Sequence, residues 1–294
     1  MTETTRGTGA RRSPSRSFAR VLHRHAWLRL SLLLTAPTVW LVVAFLGALV
    51  ALLVTAFFKL NDASAIVKTI SLTNFHDLIF KKVYRAVTLR TVGIALLVTL
   101  IDVAIALPVA FYLAKVASKR TRSFAAVAIV LPLWASYLVK TYAWRAILSP
   151  SGGVADRWLG GTIGFGRGAV TVVLAYLWLP YMILPIYAGL ERLPDSLLEA
   201  SSDLGAHAGT TFRAVIAPLL VPAIIAGSIF TFSLSMGDYI AVEIVGGTTQ
   251  MLGSVVHRNF VDNLPLAAAF SAVPVVVMIA YLALAKRTGA FENL

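Results

Sequence analysis

The sequence predicts an all-α, polytopic membrane protein with six transmembrane helices, entering and leaving on the cytoplasmic side. Three observations carry this. Hydrophobic residues make up 58% of the 294 positions and charged residues only 13%, against about 25% charged in a soluble domain. Apolar stretches long enough to cross a ~30 Å hydrocarbon core recur along the chain. Basic residues gather beside those stretches and not on an amphipathic reading surface, so the net charge of +13 points to lipid and not to nucleic acid as the partner. A soluble fold of this length cannot hide so much apolar surface, which excludes a free cytosolic enzyme. The chain has no cysteine, which removes disulfides, thiolate chemistry and iron–sulfur clusters.

The chain opens on a polar arm, residues 1–29, with seven arginines and a single acid, Glu3. It reads as a basic cytoplasmic tail that fixes orientation, with the membrane domain over 30–294. The first span, about 31–58, is too long for a signal peptide, whose apolar region is about 7–15 residues. A polar segment from Lys59 to Arg85 follows. Within it Leu72, Phe75, Ile79 and Val83 fall at helical spacing, as expected of a helix lying on the membrane surface. The second span is about 86–114, and a basic loop with Lys115, Lys119, Arg120 and Arg122 leads to the third, about 124–148. A glycine-rich loop precedes the fourth, about 169–190; the fifth is about 219–245 and the sixth about 266–285. With the N-terminus inside, 15 of the 26 Lys and Arg fall in cytoplasmic segments and eight in external ones, the bias expected of this orientation. Prolines sit in nearly every span. Each removes a backbone donor, and Pro180 and Pro185 offer a place for the fourth span to bend.

The segment 191–218 is the longest polar interruption on its side. Ser196 with Glu199 three residues later has the spacing of a capping box. Gly205 suits the left-handed residue that ends a helix, and Thr210 or Thr211 is placed to cap a second helix. A short helix, a glycine turn and a second helix make a structured cytoplasmic hairpin suited to docking.

Here a family resemblance enters. EASSDLG, with VIAP after a fixed interval, resembles the EAA loop of permease subunits in bacterial ABC importers, a Glu-Ala-Ala run followed by a glycine and an Ile-x-Leu-Pro string. Glu199, Ala200, Gly205 and Pro218 match in register, while Ser201, Val215 and Ala217 are small departures. LPLWASYLVKTYAW (131–144), LPYMILPIYAGLERLPDSLLEA (179–200) and MGDYIAVEIVGG (236–247) look like the spermidine/putrescine-type permeases. The resemblance implies a type I ABC importer-like permease in the bacterial inner membrane. Its implied partners are a second permease, two ABC ATPase subunits and an extracytoplasmic solute-binding protein, and its implied cargo is a small organic cation such as a polyamine. It also implies that the loop couples to the ATPase through Glu199, Ala200, Asp203, Gly205 and Pro218. Glu199 is equally placed to cap its own helix.

No GxxxxGK[ST] string occurs, so ATP would be bound by a partner and no cofactor by this chain. No HExxH, GxSxG or metal-spaced His/Asp/Glu set occurs either, and neither an enzyme nor a metal site is expected. Asp102 in the second span and Asp238 and Glu243 in the fifth fall near membrane depth, where a charge costs about 2.5–3.5 kcal/mol. Such groups face a partner or a water-lined path. Two readings of Asp238 and Glu243 stand: they line the path of a cation, or they pair with Lys140 or Arg145. Among the aromatic residues Trp134, Tyr137, Tyr142, Trp144, Trp178, Tyr181 and Tyr239, which belong to an interface belt or stack on a cation, Tyr239 stands beside Asp238. Intramembrane acids also suit an ion-coupled secondary transporter working without an ATPase, the alternative to the importer.

Overall fold

The structure, a computed structural model, describes residues 26–61, 65–150, 152–159 and 163–287. It falls into two units, Met1–Val54 and Thr55–Leu294. The first holds most of helix α1, which runs Ala26–Leu41, passes through a π-helical turn at Val42–Leu46 and continues as Gly47–Thr55. Residues 1–25 of the basic tail lie outside the described residues, and the helix already begins within the expected tail, at Ala26.

The second unit opens with a two-residue antiparallel pair, β1 (Lys59–Leu60) and β2 (Ile66–Val67). Helices follow in the order α2 (Thr73–Phe80), α3 (Lys82–Phe111, extended by a π turn to Val116), α4 (Lys119–Trp134), α5 (Tyr137–Leu148) and α6 (Val154–Leu159). Next come α7 (Arg167–Glu191), α8 (Asp195–Asp203) and α9 (Ala208–Thr211), which passes through a π turn at Phe212–Ile216 into α10 (Ala217–Gly237). The unit closes with α11 (Ile240–Val245), α12 (Leu252–Asp262) and α13 (Leu264–Arg287). Among the described residues five helices are long and apolar enough to cross a membrane, and six if α4 and α5 count as one bent span.

Three of the predicted elements differ from expectation. The third span is broken, with α4 and α5 meeting at 96°. The turn strips the last carbonyls of α4 of helical donors, and the Lys140 ammonium donates to one of them, Pro132 O, at 3.0 Å. The fifth span, expected to run to 245, ends at Gly237 and restarts as α11. Helix α7 runs on through Pro180 and Pro185, the place the sequence offers for bending. The surface helix is also shorter than 71–85, because Lys81 takes extended backbone and Lys82 opens α3.

The centre of the unit is α3, α7 and α10, packed on one another. Lipid tails are as apolar as leucine, so close van der Waals approach of small residues holds such helices together. Ala106, Ala110 and Ala114 of α3 fall every fourth position and are buried against Met182, Ile186 and Leu190 of α7 and Leu220 of α10. A Cβ on Gly227 of α10 would lie 3.1 Å from Met182 Cα and 3.3 Å from Tyr181 O, so the α7 and α10 backbones nearly touch. At the opposite end of the unit, Val98, Val173, Leu174, Leu177, Val242 and Met251 form a second cluster. There α12 is tied to α3 where Leu252 N donates to Thr91 Oγ1 at 2.9 Å. The outer helix α13 joins α10 through Ser228 and Tyr281, 2.5 Å apart, and through the stacked rings of Phe232 and Tyr281.

Candidate functional site

The hairpin forms, with caps other than those expected. Helix α8 starts two residues early, with Pro194 and not Ser196 at its N-cap and no side-chain cap hydrogen bond. Ser196 and Glu199 therefore miss the capping-box register. The helix closes as expected: Gly205 has φ +74, Ala206 N donates to Ser201 O at 3.1 Å and Gly205 N to Ser202 O at 2.9 Å, the paired bonds of a Schellman ending. The second helix is capped at His207 and not at Thr210 or Thr211. Thr211 instead meets Ser201, the two hydroxyls 2.8 Å apart and buried, pinning α8 to α9. Leu198 packs inward on the α3–α7–α10 cluster. Glu199, Ala200, Asp203, Gly205 and Pro218 all face outward, and at the tip Leu204 is 88% exposed.

The base of this hairpin is clasped to the α3–α4 turn. The Lys115 ammonium, 11% exposed, donates to Asp195 Oδ1 and to Leu193 O, both at 2.7 Å. Arg122 donates to the last carbonyls of α3, Leu113 O at 3.0 Å and Ala114 O at 2.7 Å, and stands 3.7 Å from Glu191. Tyr187 donates to Glu191 at 2.5 Å. The Lys115 hydrogen bond holds the Asp195 carboxyl below the usual carboxylate range. In the sequence Lys115 and Arg122 are only members of a basic loop; their acids lie far along the chain, and no local pattern announces the pairs.

The acidic residues separate into three situations. Asp238 sits at the break between α10 and α11. Its Oδ1 accepts from Ala241 N at 2.9 Å, capping α11, and its Oδ2 accepts from the Tyr137 hydroxyl. Glu243 takes a bidentate pair from Arg258, at 3.0 and 3.1 Å, linking α11 to α12. Neither pairs with Lys140 or Arg145, which donate to the carbonyls of Pro132 and Ile244. Asp102 is 0% exposed within α3, and neither carboxyl oxygen has a hydrogen-bond partner. It lies between Val98 and Ala106 on the core face, so the structure does not bring it to the other acids.

Tyr239 stacks on His257, ring centroids 4.5 Å apart. On the other side of Asp238, Tyr137, Trp178 and Tyr239 line a cavity of about 320 Å³. In the sequence Tyr137 and Trp178 are candidates for an interface belt or for stacking on a cation; the bond from Tyr137 to Asp238, 101 positions along the chain, cannot be read from hydropathy.

A bundle of long apolar helices carrying a clasped polar hairpin at one end defines a membrane transport subunit. The chain belongs to the family described as the binding-protein-dependent transport system inner membrane component, whose model matches residues 17–288. It is an ABC importer permease of the inner membrane. It is 40% identical over 292 residues to the inner membrane ABC transporter permease protein YdcU of Escherichia coli (strain K12), covering 91% of this chain and 92% of that one. It is 32% identical over 249 residues to the spermidine/putrescine transport system permease protein PotB of the same organism, covering 81% and 90%. Among solved structures it resembles a chain of a bacterial ABC transporter involved in the import of the acidic polysaccharide alginate. That match has a TM-score of 0.71 at 17% identity, over 92% of this chain and 99% of that one. A second alginate transporter structure, in complex with a pentasaccharide-bound periplasmic protein, gives 0.69 at 16%, over 90% and 94%.

Proposed function

We propose that this permease passes a small organic cation, a polyamine of the spermidine or putrescine kind, into the cytosol, together with a second permease and a solute-binding protein. ATP is bound and hydrolysed by separate ABC subunits, and this chain catalyses no reaction. The observation that carries the reading is the hairpin. Glu199, Ala200, Asp203 and Leu204 stand exposed on a turn closed by Gly205, and the hairpin's base is bonded to Lys115 of the α3 ending. In this reading Glu199 is a charged anchor for the ATPase and Ala200 leaves room for close approach. Pro218 is the exposed entry into α10, and the clasp hands the hairpin's movement to α3 and α4. The relatives named for spermidine and putrescine support the choice of cargo.

Reversing the charge at the anchor tests the assignment. With Glu199→Arg, an ATPase subunit that co-purifies with the wild-type chain in detergent is lost, and uptake falls about tenfold or more, as expected when a like charge replaces an anchor. Full transport by the isolated wild-type chain, without any ATPase, would replace this reading with an ion-coupled carrier.

A further inference from the structure

The three acids placed near membrane depth differ in one respect that bears on cargo. Glu243 is neutralised by Arg258. Asp102 is sealed among packed side chains. Asp238 alone of the three lines a cavity, is 9% exposed, and among the described residues has no Lys, Arg or His within ion-pair distance. Its hydrogen bonds come from a phenol and from backbone amides at the start of α11, none of them a positive charge. A carboxylate this far from water without a cationic partner is costly.

The walls around it answer to the same chemistry. Tyr137 and Trp178 stand 6.0 Å apart by ring centroid, Trp178 and Tyr181 5.9 Å, and Tyr181 and Phe230 6.2 Å. These rings form a row leading from Asp238 between α7 and α10, and it ends on Phe230, which is 51% exposed. Ring faces attract cations and also pack against methylene chains. A cavity of about 320 Å³ lies at the small end of ligand sites, about 300–1,000 Å³.

We infer that the cavity bounded by Asp238, Tyr137, Trp178 and Tyr239 is a way-station for one ammonium head of a linear alkylammonium, whose methylene stem lies along the Trp178–Tyr181–Phe230 row. The inference rests on the organic-cation reading above and narrows it: an anion has no counter-charge here, and a sugar meets too few polar groups. Tyr137 holds the carboxylate in position, and the ion pair that the fold leaves incomplete is completed by cargo during passage.

The test uses the assembled transporter in proteoliposomes, with its binding protein saturated with putrescine, so that capture by the binding protein does not limit the rate. Asp238→Asn keeps the Oδ1 that caps α11 but removes the charge. Trp178→Leu keeps an apolar wall but removes the ring. Each is expected to lower putrescine moved per ATP hydrolysed at least tenfold, with ATP hydrolysis and the melting midpoint of the complex unchanged. If Asp238→Asn does not assemble, Trp178→Leu decides. Wild-type putrescine transport per ATP in Trp178→Leu, or in an assembled Asp238→Asn, overturns the site and leaves the cation reading standing. A wild-type complex that moves a neutral or anionic solute but none of putrescine, spermidine or choline overturns both.

Discussion

Gly227→Leu is expected to prevent α7 and α10 from packing. A Cβ there already falls 2.7 Å from Met182 Sδ, 3.1 Å from Met182 Cα and 3.3 Å from Tyr181 O. The thioether can swing aside, but the two backbone atoms belong to a continuous helix whose Met182 and Ile186 are fully buried. Overpacking by single methylenes costs about 1–3 kcal/mol, and leucine adds four carbons at a place with room for none. The helices must separate, and with them the contact that joins the hairpin-bearing α10 to the centre of the unit. The detergent-purified chain should lose most of its yield, and what remains should melt well below wild type. Gly227→Ala should fall between. Gly93→Ala on α3, where a Cβ meets nothing within 4 Å, should melt no lower than wild type, since alanine is the better helix former by about 1 kcal/mol.

The second large effect is expected at the clasp. Lys115→Ala removes the ammonium that bonds both Asp195 and Leu193 O, leaving the start of the hairpin with its own packing and the longer Arg122–Glu191 pair at 3.7 Å. Amide exchange across residues 193–206 should quicken about tenfold, the signature of local opening, while exchange in the α3–α7–α10 centre stays slow. Transport by the assembled complex should fall with it. Lys115→Asp should be as harmful, and pairing it with Asp195→Lys should restore slow exchange by rebuilding the bond in reverse. The same bond sets a pH dependence. Because Lys115 lowers the folded-state pKa of Asp195, its stabilisation is fully present above the ordinary carboxylate value of about 3.9. It is lost as pH falls through the lowered value. Hairpin exchange, corrected for intrinsic rates, should therefore be flat from neutral pH down to the ordinary value and quicken below it in wild type, with no such step in Asp195→Asn.

The spans were legible because bilayer thickness dictates run length, and α7 at Arg167–Glu191 agrees closely with the run of apolar residues. The breaks were not, because the stretches 131–148 and 219–245 remain mostly apolar on both sides of them. Hydropathy registers composition, and a broken backbone leaves composition unchanged. The signal at 237–238 was present in another form: a glycine followed by an aspartate is a helix stop followed by a helix start. Asp238 is thus an end-cap as well as a charge, which the count of acidic residues in a span did not convey. At the hairpin, Gly205 was readable because only its conformation was needed. The Ser196 cap was misplaced because Pro194 takes the N-cap position and the Asp195 carboxylate is drawn away to Lys115, a residue from another part of the chain. Tyr137 and Trp178 show the same limit. Tyr137 opens α5 just past the bend, Trp178 reaches the same cavity from α7, and until those helices are placed the two are indistinguishable from a lipid-facing belt.

A cysteine placed at the hairpin tip gives the most direct measurement of the central claim, that this turn engages an ATPase in the cytoplasm. The chain has no cysteine of its own, and Leu204, the most exposed apolar side chain of the hairpin, tolerates replacement without disturbing packing. In cells expressing the whole transporter, Leu204→Cys should be shielded from a membrane-impermeant maleimide and should cross-link to the ATPase subunit through a short bifunctional reagent. Labelling from outside the intact inner membrane, or the absence of any cross-link to an ATPase present in the complex, would contradict the account.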